Sequence, residues 1–154
     1  HGLARRYLKH RIEGKNYLRS SKEVADYLIH SMRDLPHEIF KVIFLDADHG
    51  IITTKRISTG TITANTIYPR EVIKSALKYN AAAMIIAHNH PSGNSAPSPE
   101  DKRLTRSMHL TCALMNIRLL DHLIIAGSDT PFSFADNGLM ESLREECASI
   151  LTKP

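Results

Sequence analysis

His88 and His90 are separated by one residue; seven residues then intervene before Ser98, and two more before Asp101. Imidazole nitrogens and carboxylate oxygens are the donors that zinc takes. A zinc ion that does chemistry usually has three protein ligands and a fourth position for water. His88, His90 and Asp101 would supply such a set. Each half of the pattern also has a plainer reading: the histidines as polar loop residues, Ser98 and Asp101 as a helix cap and a first-turn acid.

The flanking residues join the halves. Ala82-Ala83-Met84-Ile85-Ile86-Ala87 is an apolar run without helical period, which predicts a strand buried on both faces. Side chains alternate along a strand, so His88 and His90 share one face at its C-terminal end. Pro91 then stops the pairing. Open α/β sheets place their sites at such strand ends. Ser98-Pro99-Glu100-Asp101 reads as a helix start, with Ser98 as N-cap and Pro99 at the first helical position. Asp101 falls in the first turn, where its carboxylate can turn toward the cap or toward a metal.

The rest of the chain supplies the frame. Ser20-Ser21-Lys22-Glu23 resembles a capping box and opens a helix to about Arg33, striped by Val24, Leu28 and Met32. Residues 38–46 and 51–57 read as a hairpin around Ala47-Asp48-His49-Gly50, with Gly50 supplying the positive φ. The Asp46, Asp48 and His49 cluster reads as turn chemistry rather than a metal loop. A helix is expected from Pro69 to about Asn80, with Val72, Ile73, Ala76 and Leu77 inward, and another over 98–114. Strands follow at 117–126 and 132–134. A last helix carries Leu139, Leu143, Cys147 and Ile150 on one side. This order predicts one α/β (mixed α+β) domain, a twisted mixed sheet flanked by helices. The assigned division is a basic N-terminal helix or linker remnant over 1–19, helical to about residue 15, and a domain over 20–154.

The bulk properties narrow the class. With 154 residues, 42% hydrophobic and 23% charged, the chain is an ordinary globular domain. It has no apolar run of membrane-spanning length and no signal-peptide pattern. Cys112 and Cys147 are far apart and read as buried free thiols, which points to a cytoplasmic protein. The net charge is +4, concentrated in Arg5, Arg6, Lys9, Arg11, Lys15 and Arg19. A solvated helix face explains that patch, and nucleic-acid contact is the other reading.

A hydrolase needs a carboxylate to take a proton from the attacking water and return it. Glu38, Glu71 and Glu100 are the candidates. Glu38 opens a strand beside an apolar run and ranks first by a small margin. Glu71 has the ordinary first-turn explanation, and Glu100 adds little to Asp101.

Taken together, the chain resembles the JAB1/MPN/Mov34 metalloenzyme superfamily (JAMM, MPN-plus), and within it the RadC-like branch. The resemblance rests on His88-x-His90, Ser98 and Asp101 at their spacing, and on Pro69-Arg70-Glu71-Val72, Leu120-Asp121-His122 and Ser133-Phe134-Ala135-Asp136-Asn137-Gly138-Leu139. It covers about residues 20–140. It implies a JAB/MPN-like, cytidine deaminase-like architecture and one zinc per chain held by His88, His90 and Asp101. Ser98 would hydrogen-bond the metal-bound water or the oxyanion, and Glu38 would serve as general base. Members of the superfamily cleave isopeptide or peptide bonds of ubiquitin-like tails. RadC-like proteins often carry a preceding helix-hairpin-helix segment, which this chain does not show, and their traditional label is DNA repair.

Two functions follow from different classes. One is a zinc-dependent metallohydrolase of peptide or isopeptide bonds. The other is a DNA-repair-associated or mobile-element accessory protein whose metal site is structural or vestigial. His122 follows Asp121 in a strand; Asp121 reads equally as a residue that orients a ligand histidine or, with His122, as a satisfied core pair, and His109 as structural or exposed.

Overall fold

The structure is a computed structural model that describes residues 12–152. Among the described residues, β1 (Ile39–Leu45), β2 (Ile51–Thr59), β3 (Ala83–Asn89), β4 (Arg118–Ile125) and β5 (Phe132–Ser133) form one open sheet in the order β2-β1-β3-β4-β5. β3 and β4 run parallel and the other neighbours antiparallel. The helices are α1 (Ser21–Met32), α2 (Pro69–Lys78), α3 (Pro99–Leu114) and α4 (Leu139–Leu151). This is the expected mixed α/β domain.

Strand alternation sorts the core into two layers. Ile39, Ile43 and Leu45 of β1 and Ala83, Ile85 and Ala87 of β3 pack under α1, against Val24, Leu28 and Met32. Phe40, Val42 and Phe44, with Met84 and Ile86, face the other helices, meeting Val72, Leu104, Met108 and Met140. Both faces of β3 are covered, and all seven of its residues are buried. Burial on both sides explains why its sequence lacks any polar alternation before the histidines.

Several local expectations give way to tertiary demands. Ser20 does not cap α1 with its side chain. Its N–H closes the preceding 3-10 turn on Tyr17 O, and Glu23 bonds Lys15 Nζ at 2.7 Å instead. In the β1–β2 turn the positive φ belongs to His49, at 66°. Gly50 is required for a different reason: Asp46 Oδ1 accepts the Gly50 N–H at 2.8 Å, and a Cβ there would lie 2.6 Å from Asp46 Oδ2. Leu77 and Ile150 point outward, 57% and 50% exposed, while Ser75 and Met140 take inward places. The basic N-terminal helix falls largely on residues 1–11, outside the described ones. Residues 12–16 lie along the start of β2: Ile12 is buried, and Gly14 N–H donates to Ile51 O.

Candidate metal centre

The end of β3 and the start of α3 meet as the spacing requires. His88 pairs with Phe40 across the β1–β3 ladder, so its ring stands on the face of Phe40, Met84 and Ile86. Ser98 is the α3 N-cap; its Oγ accepts the Asp101 N–H at 3.0 Å, and its own N–H donates to Asp101 Oδ2 at 2.8 Å. The Asp101 carboxylate turns toward cap and histidines at once. Oδ1 lies 3.0 Å from His88 Nε2, and Oδ2 lies 3.1 Å from His90 Nε2.

The partners of the rings assign their protons. A threonine hydroxyl has one proton, and Thr105 Oγ1 donates it to Asp101 O at 2.7 Å. Toward His122 Nδ1, 2.6 Å away, it can only accept, so the proton of neutral His122 sits on Nδ1. His122 Nε2 then accepts from His88 Nδ1 at 2.8 Å, which leaves a lone pair on His88 Nε2. His90 Nδ1 donates to the Asn94 carbonyl at 2.7 Å, which leaves a lone pair on His90 Nε2. The two lone pairs face each other 2.9 Å apart.

That arrangement fits a cation. Two imidazole lone pairs and a carboxylate repel one another unless a positive charge lies between them. Ligand atoms about 2.0–2.2 Å from a tetrahedral zinc are roughly 3.3–3.6 Å apart, a few tenths of an ångström beyond the separations here. His88, His90 and Asp101 each offer one such atom, all within 4.8 Å of one another. Burial opposes ionisation of Asp101, yet the His88 and His90 rings beside it, which would donate to it when protonated, and the Ser98 N–H outweigh it and hold the carboxyl far below the usual carboxylate range. The bond that Asp101 would accept from a protonated His90 Nε2 raises His90 above the usual imidazole value, against burial. The group opens to solvent at His90, whose side chain is 13% exposed against none for His88.

The glutamates separate clearly. Glu38 precedes Phe40 by two residues and so shares the face of His88. The register that pairs Phe40 with His88 puts Glu38 across from His90 when carried two residues on, and the Glu38 charge helps to raise His90. Its Oε2 accepts the Ile62 N–H at 2.8 Å, leaving Oε1 free of that bond. Glu71 is exposed in the first turn of α2, and Glu100 pairs with Arg103 on the surface.

Sequence reasoning missed Thr105, the ring role of His122 and the clamp made by Asn89. Thr105 had a signal, since it follows Asp101 by four residues on one helix face. Asp121 does not hold the His122 ring. Its Oδ1 accepts the backbone N–H groups of His122 and Ala135, and its Oδ2 accepts the Ser133 hydroxyl. Burial raises its carboxyl, and it ties β4 to the turn after β5. His122 is fully buried, stacks on Phe134 at 4.6 Å, and is lowered well below the usual imidazole range by burial and by His88. His109 is buried on α3, away from this group. Its Nε2 is the buried side-chain polar atom left without a partner among the described residues.

Replacing Thr105 with Val keeps the shape and removes the acceptor of His122 Nδ1. Metal affinity is expected to fall by ~10–100-fold and stability by about 1–3 kcal/mol. Chelator competition and denaturant melts would measure these, and unchanged affinity would remove Thr105 from the chain of bonds behind His88.

The sheet, its helices and the histidine–aspartate group define a JAB-like α/β domain with a candidate metal centre. Residues 18–139 match the RadC-like JAB domain model, and the chain belongs to that family. It is 42% identical over 138 residues to a UPF0758 protein of Dechloromonas aromatica, covering 90% of this chain and 61% of that one. It is 46% identical over 136 residues to a UPF0758 protein of Burkholderia ambifaria, covering 88% and 52%. The chain thus spans about three fifths of the length of the first of these relatives. No helix among the described residues is long and apolar enough to cross a membrane.

Proposed function

We propose that this domain is a zinc-dependent hydrolase of peptide or isopeptide bonds, with His88, His90 and Asp101 as ligands. The observation that carries the reading is the convergence of two histidine lone pairs and an ionised carboxylate, with both Nδ1 protons committed elsewhere. A bound zinc ion would lower the pKa of water toward neutrality and polarise the scissile carbonyl. Glu38 Oε1 takes the proton of the attacking water and passes it to the leaving amine. Ser98 Oγ already accepts from the Asp101 N–H, so its own proton is left to donate to the oxygen of the reacting carbonyl. Thr105 and His122 keep His88 in the tautomer that ligation needs. Two buried free thiols, Cys112 and Cys147, support a reducing, cytoplasmic setting.

The accessory-protein reading has no comparable support. Of the basic residues behind it, Arg5, Arg6, Lys9 and Arg11 lie outside the described ones, and Lys15 is paired with Glu23. A panel of peptides and ubiquitin-like fusions tests the proposal. Cleavage should appear with the zinc-loaded chain, vanish with a chelator and return with added zinc. No cleavage by zinc-loaded protein, together with DNA binding that persists at physiological salt, would favour the accessory role.

A further inference from the structure

The residue between the two histidines has its own place in the site. Asn89 is fully buried. The β1–β3 register ends at Phe40 and His88. One rung on, the Asn89 carboxamide rather than its peptide group reaches β1. Asn89 Oδ1 accepts the Ile39 N–H at 2.7 Å, and Nδ2 donates to His37 O at 3.0 Å. The two bonds take hold of the chain on either side of Glu38. On the opposite edge, Glu38 O accepts the Gly60 N–H at 2.9 Å. The Glu38 backbone is therefore gripped from β3 and from the end of β2, and only its side chain is left to point off the sheet.

Backbone amides bond other backbone amides along most of a sheet, so a side chain in this place needs a reason. At this rung the Asn89 peptide belongs to the β3–β4 ladder, where Asn89 pairs with Ile125 and the next residue, His90, donates its N–H to Ile125 O. The backbone of β3 follows β4 to aim the histidines. The carboxamide keeps β1 attached while that happens. Ligands and carboxylate are thus referenced to one residue.

We infer that Asn89 is the positioning residue for Glu38: its carboxamide fixes the backbone that aims the Glu38 carboxylate across from His90. This rests on the hydrolase reading for its purpose, but its geometry can be tested separately. Asn89 touches neither the Glu38 side chain nor Ile62 through the bonds described, whereas the Ile62 N–H reports directly on the carboxylate it bonds.

The test uses the zinc-loaded chain, isotopically labelled, with Asn89→Ala and Asn89→Asp. The aspartate variant keeps the acceptor for Ile39 and loses the donor to His37. In a folded variant the Ile62 amide proton should move upfield and its exchange should quicken by about tenfold, the range of one lost hydrogen bond. Zinc content should stay at one per chain. Turnover should fall by roughly 10²-fold, the scale of a small misplacement, with KM unchanged. In a Glu38→Gln background, Asn89→Ala should then add no further loss, because both act through one carboxylate.

An unmoved Ile62 amide in a folded, zinc-loaded variant would overturn the inference. Loss of zinc from the variant would also overturn it, by showing that Asn89 sets the ligands and not Glu38. Failure of both variants to fold would make the clamp a fold determinant only and overturn it as well. If the unmodified chain holds no zinc while Ile62 still responds to Asn89→Ala, the positioning stands and the hydrolase reading falls.

Discussion

Asp101→Ala is expected to release the metal, with affinity lower by at least ~100-fold, the upper end of what losing a mere supporting partner does. Three effects act together. A ligand is lost. The negative charge that, beside two Nε2 lone pairs facing each other 2.9 Å apart, calls for a cation is lost. The acceptor of the Ser98 N–H is lost too, which opens one half of the capping box while Ser98 Oγ still accepts the backbone N–H of residue 101; one such bond contributes about 0.5–1.5 kcal/mol. Asp101→Asn separates these effects, because an amide oxygen can still accept from Ser98 while the charge is gone. It should keep α3 capped and still hold metal poorly. Metal content after dialysis and chelator competition give the affinities, and thermal melts give the cap. Zinc retained in full by Asp101→Ala would remove the aspartate from the ligand set.

The same site gives a pH signature of opposite sign with and without metal. His90 is raised above 6.5 chiefly by its Asp101 bond. In the metal-free chain this contributes stability that is fully present below pH 6.5 and is lost as pH rises through the raised value. Metal requires the neutral ring, so affinity should weaken as pH falls through that value, and binding should release protons there.

Glu38→Gln is expected to leave zinc content intact and lower turnover by ~10²–10⁴-fold on any substrate found. The glutamine oxygen can go on accepting the Ile62 N–H now held at 2.8 Å, so the loop beyond β2 should keep its place while the basicity disappears. Glu71→Gln is the control. Its carboxylate stands exposed in the first turn of α2, where an acid contributes about 0.3–1 kcal/mol to the helix and nothing to the site. Equal losses from the two variants, or a larger one from Glu71→Gln, would reverse the assignment.

The convergence of His88, His90 and Asp101 was legible because every step that presents them is local. Alternation puts His88 and His90 on one face, Pro91 ends the strand, and Ser98 with Pro99 starts the helix that carries Asp101. Glu38 was only marginally legible, because its nearness to His90 depends on β1 lying next to β3. Thr105, His122 and Asn89 join the site through contacts between separate elements, and alternation within one strand cannot name a neighbour on another. The misreadings have the same origin. Ser20 looked like a cap, but its backbone was already committed to the 3-10 turn before it. Leu77 and Ile150 fit an apolar stripe, but the sheet beneath their helices is met by Ser75, Ala76 and Met140.

Asp101 Oδ2 serves the Ser98 N–H and the histidine group together, and this makes the proposed ligand set hard to redesign. A third histidine at this position, the obvious route to a different metal preference, would lack the second carboxylate oxygen that closes the capping box. A glutamate would carry the charge one methylene beyond the reach that the cap sets. Retuning this centre therefore has to work through the ring partners of His88 and His90, Thr105 and the Asn94 carbonyl among them. The first turn of α3 has to stay as it is.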